Sequence, residues 1–469
     1  MDGSFDGQVL AKLPLAEAVL IVMRSVFDRA DLSALYESNR GRCYTKDLPF
    51  SVFVELFCEC LTGPWDSVRS GLVKADEQGR LPVSLPAFYE KLAGMPIAVT
   101  RALFRDCSVK LRELLPIDHA DAPACLRDRT VLTVDGKVIK HVHRRRPALR
   151  LDRENAAKLL GGRALVVRDR WSGVAFDLEI DPDGEANEIK YIPDLMRSIG
   201  AELKHYLIVG DRAFGVFAVC HNIRENHGDF LIRQHGMTKF VADRNVAARR
   251  STDRFGRTVV ERWGWITRGK DTRRQPAPRI AVRQITVKRD KEQLVLMTSL
   301  LDVEAYPVDA LLDAYLDRWN IEQMFQVVTE VFGLKQLAST SPQGTLMQFV
   351  MCLLMFNVIQ LVKMIVARSQ RLPEQAISSE TLFHDIAEEL IAAARLLSAD
   401  RIAALIPPRD VPAVQRRLHD LLQGRWQARW QKCNYRPRNP AGPVKSKPDR
   451  RKQTKPHDSV HRILQRQSQ

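Results

Sequence analysis

The alternation of apolar and polar positions divides the chain into a helical stretch, a mixed stretch and a second helical stretch. Between residues 14 and 120 apolar residues recur at spacings of three and four, in Leu15 to Phe27, Phe50 to Leu61 and Val99 to Leu115. This spacing predicts helices with no strand among them. Within that region Trp65 to Val73 and Ser84 to Leu92, separated by a break with Gly79 and Pro82, read either as a helix-turn-helix or as part of an ordinary helical bundle. Near Thr130 the pattern becomes β: Thr130 to Val134, Lys137 to Val142, Arg163 to Arg168 and Gly173 to Ile180 are followed by a helical Ile189 to Ile199 and an apolar strand, Tyr206 to Val209. That order predicts a mixed α/β layer. Strands return between Phe230 and Asp302, among them Thr258 to Ile266, Arg279 to Val287 and Leu294 to Leu300, and helical periodicity resumes at Val308.

A chain of 469 residues, 45% of them apolar, has material for about three units with substantial cores. The net charge of +16 favours a polyanionic partner, and most of it is terminal: Gly424 to Gln469 holds 13 Lys or Arg against 2 Asp. Prolines at 437, 440, 443, 448 and 456 among these cations predict an extended, disordered tail when free. Its mixture of Trp426, Trp430 and Tyr435 with Arg and Lys also suits nucleic acid.

The eight cysteines form no CxxC pair, which argues against a zinc ribbon or a disulfide framework and for reduced, buried thiols. His141 and His143, beside Arg144 to Arg146, read as part of a basic segment rather than a zinc site. Asp2 and Asp6, with no basic n-region, argue against a secretory signal. Leu346 to Ala367 is long and apolar enough to suggest a membrane span. Gln348, Asn357, Gln360 and Lys363 are too costly in lipid at that density, so a buried helix, no membrane and a cytoplasmic location are expected.

Three carboxylates carry the candidate chemistry. Asp135 follows a β-branched run and precedes Gly136, a pair that also reads as a hairpin turn. Asp211 follows Tyr206 to Gly210, at a strand end where α/β sheets gather ligands, or where it caps the next helix. On a helix, Tyr315, Arg318 and Glu322 fall within roughly a 60° arc, presenting a phenol, a guanidinium and a carboxylate together. Arg318 and Glu322 alone would be an ordinary i, i+4 ion pair. As a set, three carboxylates from separate segments suit two Mg²⁺ ions that activate an attacking oxygen and neutralise a leaving one. An adjoining Arg and Tyr would place a phosphate.

With these residues the sequence resembles the bacterial insertion-sequence transposases of the DDE type, in the subgroup named for Tyr-x2-Arg-x3-Glu-x6-Lys (insertion sequence family 4 type). Tyr315, Arg318 and Glu322 match its first three positions, and Thr133 to Gly136, Gly210 to Phe214 and Asp229 to Arg233 resemble further blocks. The Lys position is Thr329, a departure on the phosphate-contacting face, and Lys335, beyond Gly333, is not its replacement.

The resemblance implies an RNase H-like core with Asp135 on the first strand, Asp211 at the end of the fourth and Glu322 on a later helix. It implies the division 1–124 helical and DNA-end-binding, 125–235 catalytic core, 236–302 β-rich insertion, 303–423 second part of the core with C-terminal helices, and 424–469 basic tail. Asp135, Asp211 and Glu322 would hold two Mg²⁺ ions, with Mn²⁺ a substitute. Tyr315, Arg318 and position 329 would contact DNA, and Trp263, Trp265 or Trp319 would stack on a flipped base. The partners implied are terminal inverted repeats and target DNA, bound by a homodimer that is nucleoid-associated while on DNA. The alternative is a transposase relic that binds ends and represses, an idea kept open by Thr329; a nuclease without strand transfer is a further one.

Overall fold

In the N-terminal region the three-and-four periodicity becomes α1 (Phe5–Ala11), α2 (Pro14–Val26), α3 (Arg29–Asn39), α4 (Phe50–Thr62), α5 (Val68–Glu77), α6 (Leu85–Ala93) and α7 (Ile97–Leu114). Asp28, Ser67 and Ser84 start α3, α5 and α6 by accepting hydrogen bonds from first-turn amides that have no partner inside their helices. The computed structural model describes residues 5–42, 47–63, 65, 67–115, 122–140, 142–143, 149–150, 158–268, 278–289, 292–397, 399–406, 410–432 and 457–467.

The mixed stretch contributes β1 (Thr130–Ile139), β2 (Lys158–Leu160), β3 (Gly162–Asp169), β4 (Ala175–Asp181), α8 (Ile192–Glu202), β5 (Tyr206–Gly210), α9 (Phe217–Glu225) and β6 (Asp229–Arg233). The next strands are β7 (Phe240–Ala242), β8 (Arg249–Thr252), β9 (Thr258–Thr267), β10 (Arg279–Arg289) and β11 (Glu292–Thr298). After them come α10 (Val308–Asp317), α11 (Trp319–Glu330), α12 (Pro342–Ser369), α13 (Ser379–Leu396), α14 (Ala399–Leu405), α15 (Val411–Leu422), β12 (His457–Ser459) and α16 (Val460–Gln467).

One large sheet has the order β4-β3-β1-β5-β6-β11-β10-β9-β7, with β8 beside β9. The first three strands are antiparallel to one another, and β5 and β6 run parallel to β1. Two antiparallel hairpin strands feeding a central β1, followed by parallel strands reached through helices, make this half of the sheet RNase H-like, as expected. The β-rich stretch does not fold apart from it: β11 pairs antiparallel with β6 and carries the sheet on into β10, β9 and β7.

Helix α12, the stretch long and apolar enough to cross a membrane, is buried within the protein over its whole apolar window, with Arg368 exposed near its end. Its polar residues explain how. The Asn357 amide accepts from Ala175 N (2.8 Å) and donates to Ala175 O (2.9 Å), Gln348 is bonded to Ala338 N and Gln336 O, and Lys363 donates to Ser379 Oγ. Buried polar groups with partners are compatible with a core, as they would not be with lipid. Around α12 the N-terminal helices, α13, α15 and one face of β3 and β4 form a continuous apolar cluster.

The basic tail departs from expectation at both of its ends. Trp430 is buried and donates to Asp385 Oδ2 at 2.6 Å, with Trp426 packed edge-on against it, so these aromatics serve the helical core. The last described residues are ordered too: β12 pairs parallel with β2, and Arg462 binds Asp183 and Glu185. The prolines and cations between them, with Tyr435 and Lys445 to Lys455, lie outside the described residues, as do His141, Arg144 to Arg146, Cys43 and Cys433. The six described cysteines are free, and five of them are buried.

Candidate active site

The parallel pairing of β1 with β5 runs from Thr130 opposite Tyr206 to Val134 opposite Gly210. One residue further, the same register sets Asp135 opposite Asp211, whose backbone is still extended (φ −80°, ψ −173°). Parallel neighbours lie about 4.8 Å apart, so two acidic residues meet where the end of β5 lies beside the middle of β1. The β5–β6 register, Gly210 opposite Ile232, brings Arg233 opposite Asp211 in the next step.

Alternation fixes the face. Val131 packs with Leu207, Val209, Leu231 and the α10 residues Leu311 and Tyr315, whereas Leu132 and Val134 enter the cluster on the other side. Asp135 and Lys137 therefore share the side that α10 and α11 cover.

The Asp135–Gly136 pair is not a hairpin turn. It lies inside the ten-residue β1, where the ladder with β3 continues through Gly136 opposite Leu165 to Ile139 opposite Gly162. Gly136 is closely approached: a Cβ there would lie 1.7 Å from Glu188 Oε2 and would displace the end of that side chain. Asp135 Oδ1 accepts from Gly136 N at 2.8 Å, and Asp211 Oδ1 accepts from Ala213 N at 2.7 Å, so Asp211 also caps the short turn that follows it.

The segment holding Tyr315, Arg318 and Glu322 is two helices, not one. At Arg318 the backbone keeps α dihedrals, but Arg318 N bonds Tyr315 O and Ile321 N bonds Arg318 O, an i to i−3 tightening between α10 and α11. The side chains nevertheless stay together. Arg318 Nη1 lies 3.5 Å from Glu322 Oε1, and its guanidinium sits 5.8 Å from the Tyr315 ring centroid. Its Nε is buried without a hydrogen-bond partner.

The titration of Asp135 reports the whole group. Burial pushes its carboxyl up to about 7; the Gly136 amide and Arg318 oppose this, while the negative charges of Asp211 and Glu322 add to it. Burial likewise raises the Tyr315 phenol, with Arg318 and Arg233 pulling down and Asp211 pushing up. The structure thus places Asp135, Asp211, Glu322, Arg318 and Tyr315 within one another's electrostatic reach. The carboxylates are spaced more widely than a tight ligand cluster: among the described residues the group whose ligand atoms all lie within 4.8 Å of one another is His384, Asp385 and Glu388 on α13. Asp385 there is already bound by Trp430 and Arg429.

Three further residues join the site. Arg233 was inside a recognisable block, but its position beside Asp211 depends on strand register. Glu188, raised by burial and by Asp211, stands against Gly136. Lys137 donates from Nζ to Thr329 Oγ1 at 3.1 Å, which puts an ammonium at the very position where the resemblance leads one to expect a lysine. Lys335 is bound to Glu330 at the surface. Trp319 is 43% exposed beside Arg318. Trp263 and Trp265 are not brought to the carboxylates: they are on β9, separated from β1 by β5, β6, β11 and β10. The Trp263 indole donates to Leu301 O at 2.9 Å, and Arg279 lies over Trp265.

A central β1 flanked by antiparallel and parallel strands, with one acidic residue within β1 and another just past the end of β5, defines an RNase H-like core. Residues 126–358 match the family model described as the transposase DDE domain, and it is to that domain that this part of the chain is similar. Among solved structures the chain is similar to piggyBac transposase in a synaptic complex with hairpin DNA, at 10% identity and TM-score 0.39, over 85% of this chain and 86% of that one. No curated protein matches it.

Proposed function

We propose that this protein cuts phosphodiester bonds at the ends of a mobile DNA element and joins the freed ends to target DNA, using Asp135, Asp211 and Glu322 as the acidic triad. The observation that carries the reading is the β1–β5 register that sets Asp135 beside Asp211 under the α10–α11 segment bearing Arg318 and Glu322.

The donor set fits a divalent cation. Three hard carboxylates come from separate segments, and mutual repulsion helps push Asp135 up to about 7, an excess of negative charge that a cation relieves. Magnesium held there, with manganese as a substitute, would stabilise charge on the attacking and leaving oxygens of the displacement.

The chain's own residues place the DNA. Arg318, with its unpartnered buried Nε beside the carboxylates, offers a guanidinium to a phosphate oxygen, and the Tyr315 hydroxyl beside it a neutral donor. Arg233 adds positive charge on the Asp211 side. In the first step a water oxygen bonds to phosphorus, the bond to the 3′ oxygen breaks, and that oxygen leaves as a hydroxyl. In the second that hydroxyl oxygen bonds to the phosphorus of another phosphodiester, whose own bond to a 3′ oxygen breaks, and the proton lost by the attacking hydroxyl ends on the departing 3′ oxygen. The N-terminal helices are assigned to recognition of terminal inverted repeats, and two copies would hold the two ends. The match of Tyr315, Arg318 and Glu322 to the subgroup signature supports placement there.

The test is a nicking and joining assay on DNA carrying the inverted repeats that flank the gene, with Mg²⁺. Asp135→Ala and Glu322→Ala are expected to bind ends and leave them intact. Wild-type protein that binds ends and never nicks them would establish the repressor instead; nicks without joined product would indicate a nuclease.

A further inference from the structure

Lys137 is a half-buried cation that feels the charges of Asp135 and Glu330 but makes no ion pair among the described residues. It follows Asp135 by two residues on β1 and shares its face. Its ammonium has three N–H donors, yet among the described residues it makes one hydrogen bond, to Thr329 Oγ1 at 3.1 Å, and lies 5.5 Å from the centroid of the Phe325 ring. The acceptor is itself committed, since Thr329 Oγ1 donates to Phe325 O at 2.6 Å. The nearest acidic neighbour on α11, Glu330, is engaged by Lys335 and Gln326. Lys110 shows the ordinary arrangement of a buried lysine here, bound to both Asp31 and Asp106. A desolvated ammonium with donors to spare is costly unless an anion supplies the rest.

We propose that Lys137 binds a phosphate oxygen of the DNA strand lying across the carboxylates, with Thr329 as the positioning residue that aims its side chain. This rests on the reading of the site as one that cuts DNA. It has a structural logic of its own: a cation delivered from β1 occupies the space beside α11 at position 329, so a hydroxyl there holds the amine where a second lysine would repel it. The phosphate contact is thereby kept, from another element of the fold.

The experiment measures binding and cleavage separately on the full chain. End-bearing duplex is titrated by fluorescence anisotropy between 50 and 200 mM salt, without divalent metal, for wild type, Lys137→Met and Lys137→Met/Thr329→Lys. Loss of one phosphate contact is expected to weaken binding about tenfold and lower the slope of log K against log salt by about one. The double variant, which returns the charge from α11, is expected to recover both. Methionine keeps the stem's bulk and removes an unpaired buried charge, so thermal unfolding of Lys137→Met should occur at or above the wild-type temperature.

In nicking assays with Mg²⁺ the single variant is expected to lose tens-fold in rate. Lys137→Met with wild-type affinity and salt slope overturns the proposal, even if Asp135→Ala abolishes cutting and so upholds the broader reading. If no protein nicks, the broader reading fails, and the salt slope still decides whether Lys137 holds a phosphate.

Discussion

Asp135 on β1 lies one step beyond the pairing of Val134 with Gly210, beside Asp211 just past the end of β5, and burial, with a smaller push from the Asp211 charge, raises the Asp135 carboxyl to about 7. The unfolded chain would release that proton near 3.8. Between those values the folded protein binds more protons than the unfolded chain, so this residue's contribution to stability falls as pH rises and levels off above about 7. At one unit per ~1.4 kcal/mol the loss is at most about 4 kcal/mol.

Asp135→Asn keeps the acceptor for Gly136 N and removes the charge. The variant is therefore expected to match wild type near pH 4 and to exceed it in Tm at pH 8 in the presence of a chelator. Mg²⁺ should raise the wild-type Tm at pH 8 and leave that of Asp135→Asn nearly unchanged. A Tm difference independent of pH would contradict the assignment of the carboxyl near 7.

Asn357 makes a second prediction, this time about the fold. The edge strand β4 exposes an unpaired N–H and C=O at Ala175, and the fully buried Asn357 amide satisfies both. Asn357→Leu keeps the branched shape but strands two buried backbone groups, at roughly 2–5 kcal/mol in denaturant unfolding. An unchanged midpoint would mean that another group or water takes over.

How much of this was legible in the sequence follows from distance along the chain. Period-two and period-3.6 patterns are local, and they located β5, the start of α10 and the span of α12 to within a few residues, but split β1 into two runs at Asp135–Gly136. Gly136 was ambiguous because an Asp-Gly pair reads as a turn, whereas within the strand it leaves room for the carboxylate of Glu188, from a segment 52 residues later. Lys137 was invisible as part of the site because its partner Thr329 is 192 residues away. Arg233 stood in a recognised block but acquired its role from the β5–β6 register. The tightening at Arg318 left no mark in the periodicity, since Tyr315, Arg318 and Glu322 keep one side across it.

The tryptophans separate by their hydrogen bonds. Trp263 is tied to Leu301 O, whereas Trp319 is an exposed ring at the site's edge. Trp319→Ala is expected to weaken binding of end-bearing DNA several-fold, in line with a stacking contact of about 1–3 kcal/mol, with little change in Tm. Trp263→Phe should cost about 1 kcal/mol of stability and leave affinity within twofold. The reverse pattern in paired anisotropy and unfolding measurements would put base stacking on β9.

The last prediction concerns what holds α10, and with it Tyr315 and Arg318, over the carboxylates. Arg283 on β10 is fully buried and binds the buried Glu261 of β9; its Nη1 also donates to Tyr306 O at 2.8 Å and Asp302 O at 3.3 Å, the backbone that leads into α10. Arg283→Met leaves Glu261 buried without its main partner, which should cost about 3–5 kcal/mol. Adding Glu261→Leu removes the orphaned charge and should restore most of the stability, because buried ion pairs contribute little over packed apolar residues. It cannot restore the two hydrogen bonds to the 302–306 backbone. The double variant is therefore expected to unfold near wild type yet nick end-bearing DNA at least tenfold more slowly, with end binding largely retained. Wild-type nicking by a stable double variant would show that apolar packing of Leu311 and Leu312 alone positions α10.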